Sequence, residues 1–186
     1  YRDDMRCFLK GDYGMAQAAI NRITGSYDLY NPENRGENAS VNFINCHDGF
    51  TLYDMYAYNY KHNEKNGWNN TDGDNNGHSW NCGQEGHTDD PAIEGLRRRL
   101  VKNAFAALMC SRGPAMFLAG DEFGNTQYGN NNSYCQDSEI SWLDWNMLKK
   151  NRHLFNFFQF MINFRHRHPV IRKQLPNAVC GMEPMR

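Results

Sequence analysis

The chain has 186 residues, a formal net charge of −1 and 22% charged side chains. This length suits one domain or a large piece of one. The near-neutral charge excludes a broad basic surface for nucleic acid, and no apolar run reaches the roughly 18 residues of a membrane span. The chain begins at Tyr1 without a signal-peptide pattern, which predicts a fragment of a longer cytoplasmic protein.

The cysteines are scattered and include no C-x-x-C pair. Such spacing favours unpaired, buried thiols in a reducing cytosol over disulfides or a zinc site. No metal and no other cofactor is predicted. The six cysteines are Cys7, Cys46, Cys82, Cys110, Cys135 and Cys180.

Two helices are predicted near the N-terminus. Residues 2–10 place Asp3 and Asp4 near the helix start, where the helix dipole favours acidic groups, and Gly11 ends the pattern. Residues 15–23 repeat apolar side chains at helical spacing until Gly25. Residues 26–40 then form a predicted loop.

A short apolar run at 41–44 predicts a buried strand, and His47-Asp48-Gly49 follows it. In α/β folds, ligands bind beyond the carboxyl ends of the strands, so an imidazole beside a carboxylate is a candidate site here. A polar strand end with a turn at Gly49 explains the same residues equally well.

Residues 51–60 predict a short helix, and a long polar insertion follows at 61–90. An irregular segment of this length is uncommon unless it is functional. Within it, 72–77 matches the opening of a calcium-binding loop, but Gly83 stands where that motif places its bidentate Glu. The motif is therefore incomplete, and a calcium site is not favoured.

The clearest predicted helix starts at Asp90, a good N-cap, with Pro91 at the first helical position. Its apolar face repeats at three- and four-residue steps until 113–114, and the arginines at 97–99 are interpreted as a solvated flank. A second buried strand is predicted at 115–119, followed by Asp121-Glu122.

A second polar loop at 125–145 leads into a helix with a wide apolar face at 154–164, which Pro169 ends. Several aromatic residues lie in polar, Asn-rich surroundings. Aromatic faces beside amides suit sugar ligands, and they equally suit the anchoring of long loops. These residues are Trp68, Trp80, Tyr128, Tyr134, Trp142 and Trp145.

The alternation of helices and buried strands predicts an α/β fold, namely the C-terminal part of a (β/α)8 TIM barrel. A complete barrel needs about 250 residues, and only two strands are evident here. The fold is therefore expected to be incomplete, with the strands at 41–44 and 115–119 as parallel neighbours connected through the helix from Pro91.

Longer motifs carry a specific resemblance. Residues 43–52 (FINCHDGFTL) resemble the seventh-strand motif of the α-amylase superfamily. Further segments resemble bacterial glycogen debranching enzymes and isoamylases, and the match runs over residues 1–172, with 173–186 as a linker toward a C-terminal β domain. Those segments are 60–67, 79–83, 85–91, 120–124, 129–137 and 140–145.

The resemblance implies retaining hydrolysis of α-1,6-glucosidic branch points in glycogen or a related branched α-glucan. It assigns Asp48 as the transition-state-stabilising carboxylate and His47 as a partner of sugar hydroxyls. Tyr128, Asn132 and Tyr134 are further candidate substrate-binding residues.

The nucleophilic Asp and the acid Glu of the family belong to the fourth and fifth strands, which precede Tyr1. Glu122 follows the eighth strand, where the family supports the loop instead of performing chemistry. An α-1,4-acting amylase relative and a non-catalytic glucan-binding protein remain alternatives, although the long polar loops favour debranching.

Residues 1–186 expressed alone are expected neither to hydrolyse glucan nor to fold well, because two carboxylates and the outer strand neighbours of the barrel would be missing. Release of reducing ends from glycogen, light scattering and a thermal melt test this expectation. A monodisperse chain with a cooperative melt, or real debranching activity, would contradict it.

Overall fold

A computed structural model describes residues 1–30 and 39–172. Most of its regular structure is helical. Short 3-10 turns at Asp54–Tyr56, Glu64–Asn66 and Asp121–Phe123 interrupt the loops. The helices are α1 (Arg2–Lys10), α2 (Ala16–Ile23), α3 (Pro91–Cys110), α4 (Asn146–Lys150), α5 (Arg152–Arg167) and α6 (Pro169–Arg172).

Two sequence predictions fall wholly or partly outside this part of the chain. The linker at 173–186, with Cys180, lies outside the described residues, and so do residues 31–38 of the loop at 26–40. Among the described helices, none combines the length and apolarity that a membrane crossing requires.

The predicted helices are confirmed except for the one at 51–60, and local signals set their ends. Gly11 closes α1 in a left-handed conformation at φ 95°, which glycine adopts without the steric cost of a Cβ. At the start of α3, the Asp90 carboxylate accepts the Ala92 N–H at 2.8 Å, and Pro91 occupies the first helical position. The predicted helix at 51–60 is reduced to the turn Asp54–Tyr56.

The two predicted strands are neighbours in parallel, as expected, but their extent was wrong. They meet in one parallel bridge between Asn42 and Ala115, and no longer ladder forms within residues 1–30 and 39–172. The Asn42 N–H donates to the Pro114 carbonyl at 2.8 Å, and the Met116 N–H donates to the Asn42 carbonyl at 2.8 Å. The predicted α/β sheet is thus only a bridge between irregular segments.

Beyond this bridge, side chains take the place of ladder hydrogen bonds in both segments. Arg6 donates through Nε to the Ile44 carbonyl at 2.7 Å, and the Leu118 N–H donates to the Asp121 carboxylate at 3.2 Å. Because buried backbone groups need partners, these contacts stabilise a non-ladder path for the chain beyond residues 42 and 115.

The hydrophobic core extends from α1 and α2 through residues 44–56 to α3 and α5, and aromatic rings pack where α3 meets α5. The rings of Phe105 and Phe158 stack with centroids 3.6 Å apart, and Phe117 meets the edge of the Phe105 ring at 5.3 Å. Aromatic pairs of this kind contribute about 0.5–1.5 kcal/mol beyond the burial of their area. Further buried members are Leu100, Val101, Ala104, Leu108, Leu154 and Met161.

The interpretation of 97–99 as a solvated flank was wrong for Arg97, although it holds for Arg98 and Arg99, which are exposed. Arg97 is fully buried. Its guanidinium donates to the Gly86 carbonyl at 2.7 Å and to the Asn81 carbonyl at 3.1 Å. It therefore anchors the end of the polar insertion to α3, a role that its basic neighbours conceal in the sequence.

The prediction that the cysteines are buried holds only for Cys82 among those described. Cys110 and Cys135 are exposed, and Cys7 and Cys46 are partly buried. These five thiols form no disulfide with one another.

We expect Arg97→Met to destabilise the protein by about 3–5 kcal/mol, because it leaves several buried carbonyls and Glu94 without their donor. The exposed neighbour Arg98 supplies the control, and Arg98→Met should stay within about 0.5 kcal/mol of the parent. Urea unfolding, with limited proteolysis of residues 81–90, measures both effects. Equal stability of the two variants would contradict the anchoring role.

Candidate functional site

His47 and Asp48 lie in an exposed turn just beyond the bridged segment at Asn42. The His47 Nε2 atom is 3.4 Å from the Asp48 Oδ2 atom, and the two side chains are 84% and 79% exposed. Gly49 follows at φ 98°, a conformation that side-chain-bearing residues seldom adopt. The turn therefore presents an imidazole and a carboxylate to solvent.

The buried carboxylate of Asp121 fixes the segments on both sides of this turn. It accepts the Asn45 side-chain amide at 2.8 Å and the Leu52 N–H at 3.0 Å, and its third donor is the N–H of Leu118. Burial raises the pKa of Asp121 to about 7, against the opposing effect of these donors. One carboxylate thus connects the chain before and after Asp48 to the second bridged segment.

A second buried carboxylate, Asp54, fixes the start of the loop at 125–145. It accepts the Gln127 N–H at 2.7 Å, the Gly129 N–H at 3.4 Å and the hydroxyl of Thr126. Burial raises the pKa of Asp54 to about 6, while these hydrogen bonds act in the opposite direction. The sequence interpretation missed Asp54, although a lone carboxylate inside an aromatic stretch was the available signal.

The Asp54 contacts determine how Tyr128 is displayed. Tyr128 lies between two residues whose N–H groups bind the carboxylate, adopts a positive φ of 56°, and is 56% exposed. Its ring is therefore exposed on a turn whose backbone is bound by the buried Asp54 carboxylate. Tyr134 is 81% exposed on the same loop.

Asparagine side chains join the two polar loops to each other. The Asn132 amide donates to the Asp72 carboxylate at 2.8 Å, and so does the Asn66 amide at 2.8 Å. Asp72, part of the calcium-like pattern, thus accepts hydrogen bonds from amides of both loops. The described residues contain no cluster of three or more acidic, His or Cys side chains that could bind a metal ion.

A buried pair of amides, Asn63 and Asn131, also joins the loop at 61–90 to the loop at 125–145. The sequence analysis did not identify this pair. The Asn131 carbonyl accepts the N–H of Gly49 at 3.0 Å. The loop at 125–145 therefore reaches the His47-Asp48 turn itself. Asn63 and Asn131 are 68 residues apart in the sequence, so no local pattern indicates that they are paired.

Among the described residues, the Glu122 side chain makes no polar contact with the His47-Asp48 turn. Its carboxylate accepts the Gly120 N–H at 2.8 Å and closes its own 3-10 turn. Its role as loop support instead of catalytic group therefore stays the prediction.

Asp121 should make stability depend on pH. Its folded pKa of about 7 lies above the ordinary value of 3.8, so the folded state keeps a proton that the unfolded state releases. The contribution of this group to the free energy of unfolding is complete below about pH 4 and is lost as the pH rises to about 7. Asp54 acts in the same direction over a narrower range.

We therefore expect Asp121→Asn to destabilise the protein by about 1–3 kcal/mol at low pH, through mismatched hydrogen bonds, and to weaken the pH dependence. Urea unfolding at pH 4.5 and pH 8 measures both effects. Glu122→Gln is the matched neighbour and should retain most of the parental pH dependence, because repulsion from Glu122 is the smallest of the effects that act on the pKa of Asp121. An unchanged difference between the two pH values in Asp121→Asn would contradict the assignment.

Sequence similarity to known proteins extends over most of the chain. No family model matches the chain. Over 174 residues it is 50% identical to a "Glycogen operon protein GlgX homolog" of Mycobacterium tuberculosis, covering 94% of this chain and 24% of that protein. It is 49% identical to the rice protein "Isoamylase 3, chloroplastic", covering 93% of this chain and 22% of that protein.

Among solved structures, the chain resembles a pullulanase from Anoxybacillus sp. LM18-11 complexed with maltotetraose. The TM-score is 0.63 and the identity 27%, over 89% of this chain and 19% of that one. The chain spans about a quarter of the length of the curated relatives that it matches. It is thus similar, over nearly all of its length, to one segment of proteins named as glycogen debranching enzymes and isoamylases.

Proposed function

We propose that this chain forms part of the catalytic domain of a glycoside hydrolase that cleaves α-1,6-glucosidic branch points in glycogen or a related α-glucan. The observation that carries the proposal is the similarity to debranching enzymes, which extends through the His47-Asp48 turn and both polar loops that follow it. The parallel bridge between Asn42 and Ala115 then corresponds to strands seven and eight of a TIM barrel.

The geometry of the turn suits a sugar-binding carboxylate. Asp48 is exposed, while the backbone around it is connected to buried groups on either side. An exposed carboxylate on a fixed backbone can accept hydrogen bonds from ring hydroxyls without reorganisation of the protein. His47, 3.4 Å away, offers a second polar contact to the same sugar.

In the proposed retaining mechanism, the transition state resembles an oxocarbenium ion, and hydrogen bonds to ring hydroxyls strengthen as positive charge develops. Asp48 supplies negative charge and these hydrogen bonds. The nucleophile and the general acid are not assigned to residues of this chain. In the proposal Glu122 supports its own loop, in keeping with the hydrogen bond that its carboxylate accepts from the Gly120 N–H.

The exposed aromatic rings suit the rest of the substrate. Tyr128 projects from the turn that Asp54 holds, and Tyr134 lies further along the same loop. Aromatic faces bind the apolar faces of glucose rings, so these two residues are assigned to glucan binding with Asn132. A pullulanase neighbour binds maltotetraose, which is consistent with an α-glucan ligand.

We expect Asp48→Asn, made in the complete polypeptide that carries this chain, to lower the rate of branch-point hydrolysis by about 100-fold or more. The substitution keeps the size of the side chain and removes the charge that would stabilise the transition state. Reducing ends released from glycogen and from pullulan measure the rate.

Glu122→Gln is the matched control, since an amide oxygen can still accept the Gly120 N–H, and it should retain activity. Near-normal debranching by Asp48→Asn would refute the assignment of Asp48. Loss of turnover in Glu122→Gln with an unchanged melting curve would refute the supporting role of Glu122.

A further inference from the structure

We propose that the buried amide pair Asn63–Asn131 is a positioning unit that holds the Asp48 turn in its active geometry. This inference rests on the proposed function, and it adds residues that do not contact the substrate. It also gives the polar insertion at 61–90 a specific role, because Asn63 belongs to that insertion.

The pair is fixed by reciprocal hydrogen bonds. Asn63 accepts the Asn131 N–H through Oδ1 at 2.9 Å and donates through Nδ2 to the Asn131 Oδ1 at 2.9 Å. Each side chain also binds the insertion, since Asn63 donates to the Asp72 carbonyl at 3.0 Å and Asn131 donates to the Asp74 carbonyl at 2.7 Å. Both side chains are buried, so this arrangement has little freedom to change.

The pair acts on Asp48 through the backbone. The Asn131 carbonyl accepts the N–H of Gly49, the residue next to Asp48, at 3.0 Å. On the other side of the turn, Asn45 is bound to Asp121. The Asp48 side chain itself is largely exposed, so its direction depends on a backbone that is held at Asn45 and at Gly49.

Gly73 shows how closely the insertion must approach this pair. A Cβ at Gly73 would lie 2.1 Å from the Asn131 Oδ1 and 2.7 Å from the Asn63 Nδ2. Any side chain there would push the two amides apart. Gly67, in the same insertion, has a similar φ of 82° against 77° for Gly73, but a Cβ there would meet nothing within 4 Å.

These two glycines provide a matched test in the complete polypeptide. Gly73→Ala and Gly67→Ala impose similar backbone strain, and only the first disrupts the amide pair. For Gly73→Ala we expect kcat on a branched glucan to fall about 10-fold or more relative to Gly67→Ala, with KM changed by less than about 3-fold, because small displacements of a catalytic group are costly. The Gly49 amide should also exchange faster with solvent in Gly73→Ala.

A second variant keeps the test decisive if Gly73→Ala folds poorly. Asn63→Asp preserves the volume and the acceptor for the Asn131 N–H, removes the donated protons, and should lower kcat in the same way. Thermal melts establish that each variant is folded. In the Asp48→Asn background, either change should cause little further loss, since residues that act through one group are not additive.

The outcomes separate this inference from the proposed function. If Asp48→Asn abolishes debranching but Gly73→Ala and Asn63→Asp match Gly67→Ala, the positioning role is overturned and the proposed function stands. Losses that multiply fully with the Asp48→Asn loss would also overturn it, because the pair would then act independently of Asp48. If the parent protein hydrolyses no branched glucan, the proposed function fails and this inference fails with it.

Discussion

The structure depends on one buried carboxylate, Asp121, more than on any regular sheet. The two parallel segments share only the bridge between Asn42 and Ala115, and the segments beyond it are joined by hydrogen bonds to Asp121. A buried carboxyl group costs free energy unless donors surround it, and here the Asn45 amide and two backbone N–H groups do so. Burial raises the pKa of Asp121, and these donors act in the opposite direction.

Buried polar side chains also bind the backbone of the loops. Asp54 holds the turn around Tyr128, Arg97 holds the end of the polar insertion, and Asn63 joins that insertion to the loop at 125–145. Each of these side chains is buried and satisfies the backbone of a segment distant in sequence. Long irregular loops thereby gain the rigidity that a binding site requires, while the exposed side chains remain free to meet a ligand.

Local signals allowed the helices and their order to be predicted from the sequence, because a cap such as Asp90 acts within one turn. The parallel neighbourhood of 41–44 and 115–119 was also predictable from the alternation of elements, whereas the length of the strands was not. The Ile44 carbonyl and the Leu118 N–H are bound by side chains, those of Arg6 and Asp121, instead of by a neighbouring strand. Arg97 was misassigned because, apart from Glu94, its partners are backbone carbonyls, which cannot be recognised from the residue types of the sequence. The motif resemblance indicated Asp48, but nothing local could reveal its connection to Asn131.

We propose that the glucan binds over the turn at Asp48, next to the polar loop at 125–145. A crystal structure of the complete Asp48→Asn polypeptide with a branched maltooligosaccharide tests this most directly. We expect a glucose ring whose hydroxyls lie within hydrogen-bond distance of residues 47 and 48, with further rings against Tyr128 or Tyr134. A sugar bound elsewhere, with no contact to residues 47–49 or 126–134, would contradict it.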